Sequence, residues 1–283
     1  MHFKKVAVVG IGLIGGSLAW ALRKSGRVGE VFGVDVDERA LSYAIDKGIV
    51  DRGSNKIDEV RDSEVVVVAT HVRFIPEIVS SLSCIGLKDT VLTDVGSVKE
   101  SIVKEVERRL PSDVYFVGGH PIAGTENSGV WFSDFALFKN KRCVLTPTER
   151  THMRALEIVT AMWEIVGAEV FIMDPKTHDR VFGFLSHLPH VVAYALLNST
   201  ELDEDSRNFV GFAGGGLRDY TRIGASSPDM WSDIFLANKE NVLLAIHRFK
   251  EALERIEVAI KKEDEKELKS ELGKAVGVKR RME

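Results

Sequence analysis

One histidine stands where a proton acceptor would serve chemistry. It lies in Gly118-Gly-His120-Pro-Ile-Ala-Gly124-Thr-Glu126, directly after an apolar run, Val114-Tyr-Phe-Val117, that reads as a strand. Three glycines and a proline make this a shaped loop rather than a linker. Open α/β sheets bind ligands beyond the carboxyl ends of their strands, so a histidine following a strand projects from the ligand edge. A neutral imidazole there accepts an alcohol proton while hydride leaves the same carbon.

A departing hydride needs an acceptor, and the start of the chain supplies a place for one. Val6 to Val9 is a β-branched run suited to a buried parallel strand, and Gly10, Gly12 and Gly15 follow it in the spacing G-x-G-x-x-G. Gly10 permits the tight turn, Gly12 lets a pyrophosphate approach bare backbone, and Gly15 lets helix pack against strand. The helix beginning near Leu18 offers free N–H groups and a positive dipole end. Val31-Phe-Gly-Val-Asp35 reads as a second strand whose acidic end, 20 positions after Gly15, suits a ribose. Gly10, Gly12, Leu13, Ile14, Gly15, Asp35 and Thr70 are the candidate dinucleotide contacts.

Ser97 is a third candidate. Asp94-Val-Gly-Ser97-Val-Lys follows the strand Thr90 to Val95, and Ser97 with Glu100 has the capping-box spacing. Capping and function coexist, because a helix start at the crevice also presents Ser97 to a ligand. His187 and His190 lie three apart on an expected helix. No His-Glu-x-x-His pattern and no nearby third ligand accompany them, so no metal site is expected.

These residues must be held by a mainly parallel sheet. Further strands are expected over Glu64 to His71, Arg142 to Thr146 and Ala168 to Met173. Helices are expected over Glu38 to Lys47, Pro76 to Leu82, Ser97 to Leu110 and, capped by Thr148, up to Val166 before Gly167. That alternation is a Rossmann-like α/β domain, assigned to residues 1–173. Asp174-Pro175 then caps a helix running to about Asn198, with a kink at Pro189. After the break Gly211 to Gly216, Leu217, Tyr220 and Ile223 mark a short helix. Ser227-Pro228 starts a very long one, with apolar residues from Met230 to Ile260. Residues 174–283 are therefore read as an all-α C-terminal dimerisation domain, its long apolar face needing a second copy. Lys261 to Glu283 reads as a charged, solvated terminal helix.

The 283 residues suit two domains, and a net charge of −4 favours neither nucleic acid nor an anionic membrane. No stretch reads as long and apolar enough to span a bilayer, and Met1 to Lys5 leads straight into a strand without a signal peptide. Cys84 and Cys143, without metal or disulfide spacing, are expected as buried reduced thiols, which suits a cytoplasmic location.

Taken together, GIGLIGGSLA from Gly10, TDVGSVK from Thr93, GGHPIAGTE from Gly118, SHLPH from Ser186 and GGGLRDYTRIGASSPDMW from Gly214 resemble the prephenate dehydrogenase family, which includes arogenate and cyclohexadienyl dehydrogenases. The resemblance spans nearly the whole chain. It implies oxidative decarboxylation of prephenate by NAD to 4-hydroxyphenylpyruvate and CO2, on the route to tyrosine, in a homodimer. His120 matches the family's catalytic histidine, and Ser97 a serine that orients it. Arg222 matches an arginine that binds a substrate carboxylate, for which its planar fork is suited. His190, Thr125 and Glu126 match positions near the substrate. Asp219 and Glu126 are placed to hold Arg218 and Arg222. Two alternatives differ in class. A β-hydroxyacid dehydrogenase would use Lys239 of Asn238-Lys-Glu-Asn241 as its acid/base, and a nucleotide-sensing regulator would leave His120 and Arg222 without a role.

Overall fold

The computed structural model describes residues 1–87, 89–111 and 114–282. Eight strands form one sheet among them: β1 (Phe3–Val9), β2 (Val28–Val34), β3 (Arg52–Ser54), β4 (Val65–Val68), β5 (Val91–Asp94), β6 (Tyr115–Pro121), β7 (Arg142–Thr146) and β8 (Glu169–Ile172). Their order is β3-β2-β1-β4-β5-β6-β7-β8, parallel throughout except between β6 and β7.

The central strands are β-branched runs because both faces are covered. Val6, Val8, Val65 and Val67 point to one face, where they meet Leu18 and Leu22 of α1 (Leu13–Lys24). Ala40, Leu41 and Ala44 of α2 (Glu38–Asp46) join that first face, whereas Ala7, Val9, Val66 and Val68 point to the other. There they meet Val79 and Leu82 of α3 (Ile75–Cys84) and Ile102 and Val106 of α4 (Glu100–Arg109). Val159, Met162 and Trp163 of α5 (Met153–Ile165) return to the first face. The alternation of a strand thus divides one sheet into two cores.

The strand order reverses between β1 and β4, which opens the ligand crevice of a doubly wound sheet beside the glycine turn. Beyond the sheet come α6 (Pro175–Phe182), a π-helical turn (Gly183–His187), α7 (Leu188–Thr200), α8 (Glu204–Asn208), α9 (Gly215–Thr221) and α10 (Pro228–Ala237). Trp231 and Ile234 of α10 enter the second core, so this helical segment is docked on the sheet. Met1–Asn238 makes one compact unit. The second, Lys239–Glu283, holds α11 (Lys239–Lys261) and α12 (Glu265–Arg280), an antiparallel hairpin in which Arg255 and Glu271 pair at 3.3 Å.

Several expected elements differ in detail. His120 and Pro121 lie inside β6 rather than after it, because β7 extends the ladder there. Ser97 does not cap α4: the helix begins at Glu100, and its first N–H groups go to Asp179 instead. Thr148 shapes a turn, and the side chain of His152 caps α5. The very long helix is two, broken at Asn238, whose amide is engaged in the interior. Cys84 is exposed, and only Cys143 is buried. Pro189 does not interrupt the helix. Lacking an N–H, it is accommodated by the wide turn before it, so that Pro175–Thr200 is continuous over 26 residues. By length and composition this helix is apolar enough to cross a membrane, which the charges of Lys176, Asp179 and Arg180 obscure in the sequence. Its His178, Asp179 and His187 are nevertheless buried against protein.

Candidate active site

The glycine turn is built for an anion. Gly10 has φ +96°, and a Cβ there would come within 2.6 Å of the Ala69 carbonyl oxygen at the end of β4. A Cβ on Gly15 would overlap the Gly10 carbonyl, whereas the space over Gly12 is open. Gly12 also caps α1 without a side chain, leaving Leu13, Ile14 and the first-turn N–H groups at an uncovered helix start. Asp35 accepts hydrogen bonds from the N–H of Ile11 at 2.6 Å and of Asp37 at 2.9 Å. These fix its carboxylate against the turn. Thr70 Oγ1, enclosed beside Gly10, has no hydrogen-bond partner among the described residues. An open glycine, an unfilled helix terminus, an oriented carboxylate and an orphaned hydroxyl fit a dinucleotide.

His120 sits where β6 has left β5 and pairs with β7, opposite Val144. Its Nδ1 lies 2.8 Å from Nε2 of His178, and His178 Nδ1 lies 2.8 Å from the Asp179 carboxylate. The protons follow from the partners. A carboxylate only accepts, so His178 carries its proton on Nδ1. Its bare Nε2 accepts the Nδ1–H of His120. His120 is left with a lone pair on Nε2, the form a base requires. Burial holds the His120 imidazole well below its ordinary range, and His178, Lys99 and His187 push the same way. Burial also lowers His178, although Asp179 opposes it.

Asp179 anchors more than this relay. Its two oxygens accept the N–H of Lys99 at 2.7 Å and of Glu100 at 2.9 Å, and its carbonyl accepts from Asn238 Nδ2 at 2.8 Å. Asn238 also reaches His187 Nδ1 at 3.0 Å. Burial pushes the His187 imidazole down to about 4, against the raising effects of Asp179 and the Ser97 backbone. Ser97 itself is half-buried in the bend before α4.

The loop after His120 carries Thr125 and Glu126. Gly124 faces Ile14 of α1, so this loop abuts the glycine turn. Thr125 is exposed, and its hydroxyl accepts the Asn127 N–H. Glu126 accepts from Arg222 at 2.6 Å, joining loop to helical segment. Its own backbone N–H and that guanidinium hold the Glu126 carboxyl below its usual range. His190 donates from Nδ1 to the Ser186 carbonyl at 2.9 Å, and its ring stacks on Trp231 with centroids 3.4 Å apart. Burial lowers its imidazole, as does the Arg222 charge. Asp219 is the exception: it is exposed on α9 and makes no ion pair with Arg218 or Arg222 among the described residues. Arg218 donates instead to the Ala213 carbonyl. Lys239 is exposed.

His178 and Asp179 lie in no motif of the sequence, and Lys99, Trp231 and Asn238 lie in motif stretches that point to other residues. The available hint is a His-Asp pair near the start of a helix whose later turns are apolar.

Residues 18–172 match the family described as prephenate dehydrogenase, nucleotide-binding domain, and residues 174–274 its dimerization domain. The prephenate dehydrogenase of Bacillus subtilis is 35% identical over 266 residues, which are 93% of this chain and 72% of that one. The cyclohexadienyl dehydrogenase of Zymomonas mobilis is 33% identical over 93% of this chain and 90% of its own. The crystal structure of prephenate dehydrogenase from A. aeolicus, in complex with hydroxyphenyl propionate and NAD+, superposes with a TM-score of 0.92 at 43% identity, covering 100% of this chain and 99% of that one. With a glycine turn shaped for a dinucleotide and a histidine poised as a base, the chain belongs to the prephenate dehydrogenase family.

Proposed function

We propose that this enzyme oxidises prephenate with NAD, releasing 4-hydroxyphenylpyruvate and CO2, as a cytoplasmic homodimer serving tyrosine biosynthesis. The observation that carries the mechanism is the Asp179–His178–His120 chain, which leaves Nε2 of His120 as an acceptor. NAD, when bound, supplies the hydride acceptor. Gly10, Gly12, Leu13, Ile14, Gly15, Asp35 and Thr70 are the residues to hold it.

His120 takes the ring hydroxyl proton at Nε2 as the C–H bond of the same carbon breaks. The carbonyl so formed withdraws the electrons of the bond to the ring carboxylate, which leaves as CO2, and the ring becomes aromatic. Ser97, half-buried in the bend before α4, orients the hydroxyl and the imidazole. Arg222 binds a substrate carboxylate, with Glu126 holding its fork and His190 and Thr125 beside it.

The dimer follows from apolar surface. Leu185, Leu196, Phe212 and Leu236 are exposed on the segment that matches the dimerization domain. Covering that surface with a second copy also accounts for the long apolar helix Pro175–Thr200 without a membrane. Light scattering that gives a stable monomer at micromolar concentration contradicts it.

Arogenate differs from prephenate by an amine in place of the keto group. The test is absorbance at the reduced-nicotinamide band, with prephenate and arogenate each crossed with NAD and NADP. Prephenate with NAD should give the highest kcat/KM. Higher turnover of arogenate overturns the substrate, and no turnover of either overturns the reading.

A further inference from the structure

Beneath His120 lies a buried charge that the reaction does not itself require. Lys99 and Asp94 are both fully enclosed and form an ion pair. Lys99 Nζ also donates to the Gly119 carbonyl at 2.8 Å, and Asp94 accepts the Gly119 N–H at 3.1 Å and the Gly96 N–H at 2.8 Å. The pairing of β5 with β6 ends at Thr93 and Val117, and the ion pair takes over at Gly119, the residue before His120. Both backbone groups of Gly119 are held by it.

Stability does not explain a charge here. A buried ion pair is worth little more than apolar residues of the same shape, and Asp94 already has backbone donors. What the cation adds is direction. His178 and Phe182 from α6 contact His120, Cys143 of β7 lies beside it, and the charges of Lys99, from the bend before α4, and of His187, from the π-helical turn, act on it; Asp179 stands behind His178 and Asp94 of β5 behind Lys99. Asp179 is bound by two N–H groups and His178, and Asp94 by Lys99 itself.

We propose that Lys99 is a positioning residue for His120: it fixes Gly119 from below and sets a buried positive charge against any second one on the imidazole. The charge of Lys99 accordingly depresses the proton affinity of His120 and of His178. The proposal rests on His120 as the base, so its test reads the imidazole directly as well as the rate.

Lys99→Met and Asp94→Asn/Lys99→Met are compared with wild type. The double variant removes the carboxylate that the single one leaves unpaired. Circular dichroism checks the fold, and 15N-imidazole NMR follows the titration of His120. In the folded variants the His120 midpoint should move to higher pH, and the acid limb of kcat/KM should move with it. A midpoint that stays in place in a folded variant, or a loss of rate equal at every pH, overturns the proposal. Failure of both variants to fold overturns it too, since the pair is then structural. His120→Asn separates the two readings. If it keeps the acid limb, His120 is not the base, yet the NMR midpoint still reports on Lys99.

Discussion

His120 Nδ1 and His178 Nε2 are 2.8 Å apart, and this one bond leaves Nε2 as the nitrogen of His120 that carries the lone pair. His178 can accept only because Asp179 holds the proton of its other nitrogen. The order of partners orients a buried histidine as the proposed base needs.

His120→Asn keeps a polar side chain but loses the basic nitrogen. General-base assistance is worth about 10²–10⁴-fold, and kcat should fall by that order with NAD affinity little changed. Wild-type kcat should rise with pH as an imidazolium loses its proton, and the rise should vanish in the variant. An equal loss in Lys239→Ala, with a modest effect at His120, would transfer the role to Lys239.

Arg222→Ala should raise the KM for prephenate and leave NAD binding nearly intact. The lost charge-assisted bond costs about 1.5–3 kcal/mol. Lysine should rescue only in part, because it lacks the fork. Steady-state kinetics in which substrate KM is unchanged would remove Arg222 from the site.

On the proposed reading Asp35 sets cofactor choice. Its carboxylate, fixed by the Ile11 and Asp37 N–H groups, should accept from ribose hydroxyls and repel a 2′-phosphate. Wild type should prefer NAD, and Asp35→Ser should narrow the ratio of kcat/KM for NAD over NADP. A wild-type enzyme that favours NADP contradicts the assignment.

Asp179→Ala should destabilise as well as slow the enzyme. It strips acceptors from the N–H groups of Lys99 and Glu100 and from His178, at about 1–3 kcal/mol for each buried donor left unsatisfied. Urea unfolding measures the loss. A midpoint equal to wild type would show that water or Ser97 replaces the cap.

His187 links stability to pH. Its folded value of about 4 lies below the ordinary 6.5, so the unfolded chain binds the proton first. The stability this residue contributes is complete above pH 6.5 and is lost as pH falls toward 4. Thermal unfolding between those limits should show a shallower decline in His187→Gln than in wild type. Parallel curves would place the linkage elsewhere.

What was written into the sequence were local facts. The glycine spacing, the β-branched runs and the Asp174-Pro175 and Ser227-Pro228 helix starts each depend on residues within one turn or one strand, and each is legible there. What only the tertiary structure decided were relations across the chain. Asp179 displaces Ser97 as the cap of α4 because a buried carboxylate from a distant helix offers two oxygens where a serine offers one. β6 runs on through His120 because β7 happens to lie antiparallel beside it. The tautomer of His120 is set by His178, 58 residues away, and the charge beneath it by Lys99. Sequence determines which groups are available. Burial, which removes water as the competing partner, decides which of them must satisfy one another.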